Sequence, residues 1–265
     1  NAWTNSLALS GGGDNQTFRF SLSDLRSNSI VPNSGYDKTT LSLNVNSKYG
    51  KKLTFSGKVL YSHEDTKNRP TLSDSPNNAS QSVWRVPRNV NVTDFYGPAE
   101  KPGSIPEGLP AEAYTAYGQG GAAKVPGQEW LPAANNWGQN PYWATHVYID
   151  SDIRDRFITS GSLRYDILDW LYVSGRIGMD WFTRRDTNLT PEGTGHTLVG
   201  NRTEGEDRVR ETNMDWMLGI DREFGDFSIN AFAGGNRMVR SSERISANGS
   251  GFSVQFFDAI NNAAT

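Results

Sequence analysis

The chain has no cysteine among its 265 residues, which removes disulfide scaffolds and thiolate metal sites from consideration. No run approaches the ~18 consecutive apolar residues of a membrane-crossing helix. Charge of one sign is also lacking: 26 basic against 29 acidic residues leave a formal net charge of −3, so there is no field to hold a polyanion and nucleic acid is not an expected partner. Catalytic signatures are missing too, with no Gly-x-Ser-x-Gly, Walker or His-Glu-x-x-His sequence. The chain has neither an initiator methionine nor a signal peptide, and Asn1 already enters a strand-like pattern, which predicts a piece of a longer polypeptide. The polar mean hydropathy does not exclude a membrane protein, because barrel strands are apolar only at alternate positions and carry polar loops.

What the chain does have is a period of two. Between Asp152 and Arg185, one row reads Phe157, Thr159, Gly161, Leu163, Tyr165 and then Leu171, Val173, Gly175, Ile177, Met179, Trp181, while Arg164, Arg176 and Asp180 fall in the interleaved polar rows. This predicts a hairpin with one apolar and one polar face. Each arm of about 10 residues, tilted ~45°, climbs roughly the ~25 Å of an outer-membrane apolar band. Three more hairpins show the same alternation: Leu7 and Leu9 with Phe18, Phe20 and Leu22; Leu41, Leu43 and Val45 with Phe55, Val59 and Tyr61; and Met214, Trp216, Leu218 and Ile220 with Phe227, Ile229, Ala231 and Ala233.

Gly11-Gly12-Gly13-Asp14-Asn15 reads as the first tight turn, Tyr49-Gly50-Lys51-Lys52 as the second and Glu223-Phe224-Gly225-Asp226 as the fourth. The segments between and after hairpins are long, at about 26–37, 65–146, 186–206 and 241–265. Tight turns alternating with long connections predict an all-β, antiparallel, up-and-down transmembrane barrel segment of about eight strands with long extracellular loops. Tyr165, Trp170 and Trp181 stand near strand ends, where interfacial aromatics collect.

The segment 65–146 loses the period of two but holds Trp84, Trp130, Trp137, Tyr142 and Trp143, too aromatic for a disordered linker. These rings are the candidates for binding substrate or a partner, since flat rings stack on sugar faces and peptide side chains. The competing reading, a small core internal to the loop, carries somewhat more weight. Arg164, Arg176 and Asp180 are expected to face a lumen, as is Arg210, with hydrogen bonding to neighbouring protein as their plainest role. Asp150, Asp152 and Asp155 lack the glycine and distal glutamate of a calcium loop. His63, His146 and His196 share no ligand spacing, so neither metal nor other cofactor is expected.

Several of these features together resemble SusC-like (RagA-like) TonB-dependent transporters: the hairpin pattern, Asn140-Pro141-Tyr142-Trp143 ahead of a strand, the Leu163-Arg164-Tyr165-Asp166 strand end, Trp84-Arg85-Val86-Pro87 and Asp94-Phe95-Tyr96. The resemblance implies a 22-stranded barrel closed around a plug. Residues 1–265 would then be part of its wall, without plug, TonB-box region or closing strands. It further implies a Gram-negative outer-membrane location, import of oligosaccharides or oligopeptides rather than enzymatic activity, a SusD-like surface lipoprotein as lid, and the TonB complex as driver. Two other architectures fit the strand count: a secreted carbohydrate-binding β-sandwich, and a self-contained eight-stranded barrel serving as an adhesin.

Overall fold

A computed structural model describes residues 1–85, 141, 143–191, 194, 197, 199–254, 257 and 259–264. Eight antiparallel strands follow one another in a single sheet in chain order: β1 (Ala2–Gly13), β2 (Gln16–Asn28), β3 (Gly35–Tyr49), β4 (Leu53–Lys67), β5 (Ile149–Leu168), β6 (Leu171–Thr190), β7 (Asn201–Phe224) and β8 (Phe227–Ser250). Every strand pairs with its sequence neighbour, and among the described residues β1 and β8 do not pair with each other. That open order rules out the closed eight-stranded ring.

The register places the apolar rows on one face. Phe18 faces Val45, Val45 faces Gly57, Gly57 faces Gly161, Gly161 faces Ile177, and Ile177 faces Met214. Residues directly opposite one another share a face, so this apolar row runs from β2 to β7, and on β8 Arg237 faces Met214. Leu9, Leu163, Ile177, Met214, Trp216 and Ile229 are all exposed on that face. Among the described residues the buried apolar side chains are Trp143, Leu189 and Phe252 with Pro141 and Pro191, none of them on this band. A sandwich would bury such a face against a second sheet; no second sheet is present among the described residues, so the sandwich is also excluded. An apolar surface of this extent needs lipid or protein against it.

Successive hairpins are staggered. Gln16 at the first turn faces Ser47, and β3 continues to Tyr49; Leu53 faces Tyr165, and β5 continues to Leu168; Leu171 faces Ile220, and β7 continues to Phe224. Each turn therefore lies further along than the last, the shear that tilted strands need when a sheet curls into a barrel.

The strands run further than the apolar alternation indicates. Of the loops expected at 26–37, 186–206 and 241–265, only 29–34, 191–200 and 251–265 lie outside β1–β8. Beyond the apolar band the alternation ends while the backbone ladder continues. The first turn is likewise shorter than expected. Gly11–Gly13 belong to β1, where Gly11 lies under the Phe18 ring and Gly12 takes φ +146 with its missing Cβ up against the Gln16 carbonyl.

Candidate functional site

The polar face carries a ladder of charge. Lys38, Glu64, Arg154, Arg184, Asp207 and Arg244 stand opposite one another in register from β3 to β8. Glu64 is buried and accepts from Lys38 Nζ at 3.1 Å and from Arg154. Buried Asp152 pairs with Arg69 and lies 3.6 Å from Arg184, while Arg244 bridges Asp186 at 3.2 Å and Asp207 at 2.7 Å. The like charges Arg154 and Arg184 face each other, and Glu64 and Asp152 offset them from either side. Buried charges need such partners.

Arg164, Arg176 and Asp180 lie on this same polar face, each held by a neighbour. Arg164 donates to Asp166 at 2.9 Å and stacks 3.6 Å over the Tyr172 ring, which covers Gly219. Arg176 pairs with Asp215 at 2.7 Å, and Asp180 accepts from Arg156 Nε at 2.9 Å. Arg210 is placed otherwise. It faces Trp181 on β6 and Ser241 on β8, so it stands on the apolar, outward face and not with the polar row. Charge was the misleading cue: at the upper edge of the band the outward face itself becomes polar.

That edge is marked by aromatics. Tyr61, Phe157 and Trp181 lie side by side on β4, β5 and β6, with ring centroids 4.7 and 5.7 Å apart. Just above them Tyr61 donates to Asp155 at 2.7 Å, and His63 Nδ1 lies 2.8 Å from the same oxygen. Rings followed by charged groups are the order expected at a membrane–water boundary.

At the end of the strands opposite the tight turns, the connections knit into a rim. Asn33 and Asn68, both in the left-handed region at φ 57 and 45, tie it together. Asn33 Nδ2 donates to the Thr145 carbonyl at 3.1 Å, Asn68 Nδ2 donates to the Asn33 carbonyl at 3.0 Å, and Arg69 N donates to the Asp150 carbonyl at 2.7 Å. Between them opens a pocket of about 260 Å³, lined in part by Pro32, Asn77, Asn78, Tyr148 and Asp150. Asn78 caps the short helix α1 (Ala79–Arg85) by accepting from Ser80 N at 3.1 Å. Asn77 is buried, and its Oδ1 accepts no hydrogen bond among the described residues.

The candidate aromatic residues separate here. Trp84 lies on α1 with 89% of its surface exposed. Trp143, 1% exposed, sits in a π-helical turn (Trp143–Val147), and its indole Nε1 donates to Thr194 Oγ1 at 3.0 Å, pinning the β6–β7 connection to the foot of β5. Trp130, Trp137 and Tyr142 lie outside the described residues. The charge ladder and the rim pocket were not anticipated from sequence; alternation of charge at Asp152, Arg154 and Arg156 was the signal for the first.

No protein-family model matches the chain, and no curated protein matches it. Solved structures do. The RagAB peptide transporter superposes with a TM-score of 0.70 at 14% identity, covering 100% of this chain and 27% of that one. This chain has the fold of a segment of RagAB. The RagAB peptide importer in its closed-closed state gives a TM-score of 0.67 at 15% identity, over 99% of this chain and 27% of that one. The open-open state gives 0.68 at 14%, over 99% and 26%. The chain thus spans about a quarter of the length of these RagAB structures, which agrees with a sheet open at both edges.

Proposed function

We propose that residues 1–265 form part of the wall of an outer-membrane, TonB-dependent importer of the SusC-like kind, a multi-pass β-barrel that takes up oligosaccharides or, alternatively, oligopeptides. The observation that carries this reading is the outward apolar band on a staggered, open sheet. In this reading the strands hold the pore in lipid, and the charge ladder stiffens the lumen side. The rim formed by the long connections contributes to the binding cavity and meets a SusD-like lipoprotein lid. The plug and the TonB-contacting region belong to other parts of the parent protein.

The oligosaccharide reading draws on Trp84, whose exposed ring is free to stack on a sugar face, and on amide and carboxylate groups around the rim pocket that suit hydroxyl donors. Trp130, Trp137 and Tyr142 remain candidates in the same loop. The test is uptake: a deletion strain is grown on single glycans and on peptides as sole nutrients, with and without the complementing gene. Loss of growth on one substrate class, restored by the gene, supports the importer. Unchanged growth on all of them, or a protein found in the soluble fraction, refutes it.

A further inference from the structure

Arg210 stands on the outward face at the aromatic level, and no hydrogen bond or ion pair to it is found among the described residues. It lines a hollow of about 500 Å³ with Met179, Trp181, Arg208, Ser241 and Glu243. The other charges there are Arg208, which donates to Glu206 at 2.7 Å, and Glu243, which faces Arg208 across the β7–β8 ladder. The residues lining the hollow thus hold two arginines against one glutamate, and Arg210 has the Ser241 hydroxyl opposite it in register. A second lone guanidinium, Arg237, stands lower on β8 in the same outward row, facing Met214. A long arginine side chain in that position extends its charge toward the water boundary.

A second observation lies directly below. Met179 also borders an apolar hollow of about 500 Å³, lined by Val45, Phe55, Val59 and Ile177. Its floor is formed by Gly57 and Gly161, which face each other across β4 and β5. Two adjacent glycines on a lipid-facing wall remove the side chains that would level it. The two hollows share Met179: the upper one holds the Arg210 guanidinium and the lower one is apolar.

We infer that this part of the wall is a binding site for a phosphate-bearing lipid of the outer leaflet, with its phosphate on Arg210 and Ser241 and one acyl chain along the Gly57–Gly161 hollow. A guanidinium is well matched to phosphate oxygens, and Trp181 provides an apolar face for the headgroup. This inference rests on the reading of the wall as membrane-embedded.

The test uses the full-length protein that contains this chain, folded into nanodiscs holding lipid A with its phosphates or lipid A stripped of them, and counts retained lipid by native mass spectrometry. The wild type is expected to retain one more phosphorylated than dephosphorylated molecule. Arg210→Gln should weaken that retention roughly tenfold, whereas Lys51→Gln, in a turn at the far end of the wall, should not change it. Gly161→Leu is the second variant: a Cβ there meets only Ile177, at 4.0 Å, so the backbone leaves room for a side chain directed into the hollow. It should reduce both lipid forms alike by filling the hollow. Equal retention of the two lipids by the wild type, or unchanged retention by Arg210→Gln, overturns the site. Failure of the folded wild type to enter a bilayer refutes the membrane reading itself, a different result from insertion without selective retention.

Discussion

Placing an arginine on each face of the wall separates the lipid side from the lumen side in energy. Ile177 is 51% exposed in the middle of the outward row, four residues from Trp181 along β6. At ~3.4 Å per residue that is about 14 Å of strand, or ~10 Å of depth at a ~45° tilt, close to the middle of a ~25 Å band. Ile177→Arg should therefore cost about 2–4 kcal/mol, the range for arginine at the midplane of a barrel's lipid face. The comparison is Asn213→Arg on the polar face, where Glu211 already accepts from the Asn213 amide at 3.0 Å and can accept from a guanidinium instead. That change should cost under ~1 kcal/mol. Ser174 is a poorer control, because it faces Arg164 directly. The assay is urea titration of the full-length protein in lipid vesicles, following the midpoint at unchanged slope. Equal costs at the two positions, or a larger cost at Asn213, would refute the assignment of faces.

Other expectations follow from single contacts. Trp143→Ala should destabilise by about 3–5 kcal/mol, since the ring is buried and anchors Thr194, whereas Trp84→Ala should leave stability unchanged and lower substrate affinity; melting and uptake measured on the same two variants check this. A Cβ at Gly219 would lie 2.2 Å from Tyr172 Cζ, so Gly219→Ala should cost about 1–3 kcal/mol and Tyr172→Ala should relieve most of it in a double-mutant cycle. Glu64→Gln leaves Lys38 and Arg154 facing a neutral amide and should cost about 1–2 kcal/mol, measurable as a lowered urea midpoint.

The hairpins were legible in sequence because a sheet with one apolar face imposes a demand on every second residue. The rows Phe157–Tyr165 and Leu171–Trp181 keep a period of two on either side of the turn, and the register confirms that both share a face. Strand ends were not legible, because from Arg184 to Thr190 in β6 and from Ser241 to Ser250 in β8 the apolar–polar alternation lapses while the strands continue. Arg210 shows where chemistry and geometry part: its even number matches Met214 and Trp216, so parity placed it outward although its charge suggested the lumen. The rim was hidden for another reason. Asn33, Asn68 and Thr145 meet through hydrogen bonds between segments far apart in the chain, and no local pattern records such a meeting. Of the candidate tryptophans, composition could not tell the exposed Trp84 from the buried Trp143, whose indole is held by Thr194, a residue distant in the chain.

The absence of native cysteine in this chain makes a cysteine scan of β6 from Leu171 to Trp181 the most direct measurement of the central claim, that this sheet is a barrel wall with lipid on one face. In the full-length protein reconstituted in vesicles, labels at Val173, Gly175, Ile177 and Met179 are predicted to be reached by a lipid-soluble quencher and shielded from a water-soluble one, with Ser174, Arg176 and Gly178 behaving in the opposite way. Accessibility without a period of two, or water access at the odd positions, would contradict it.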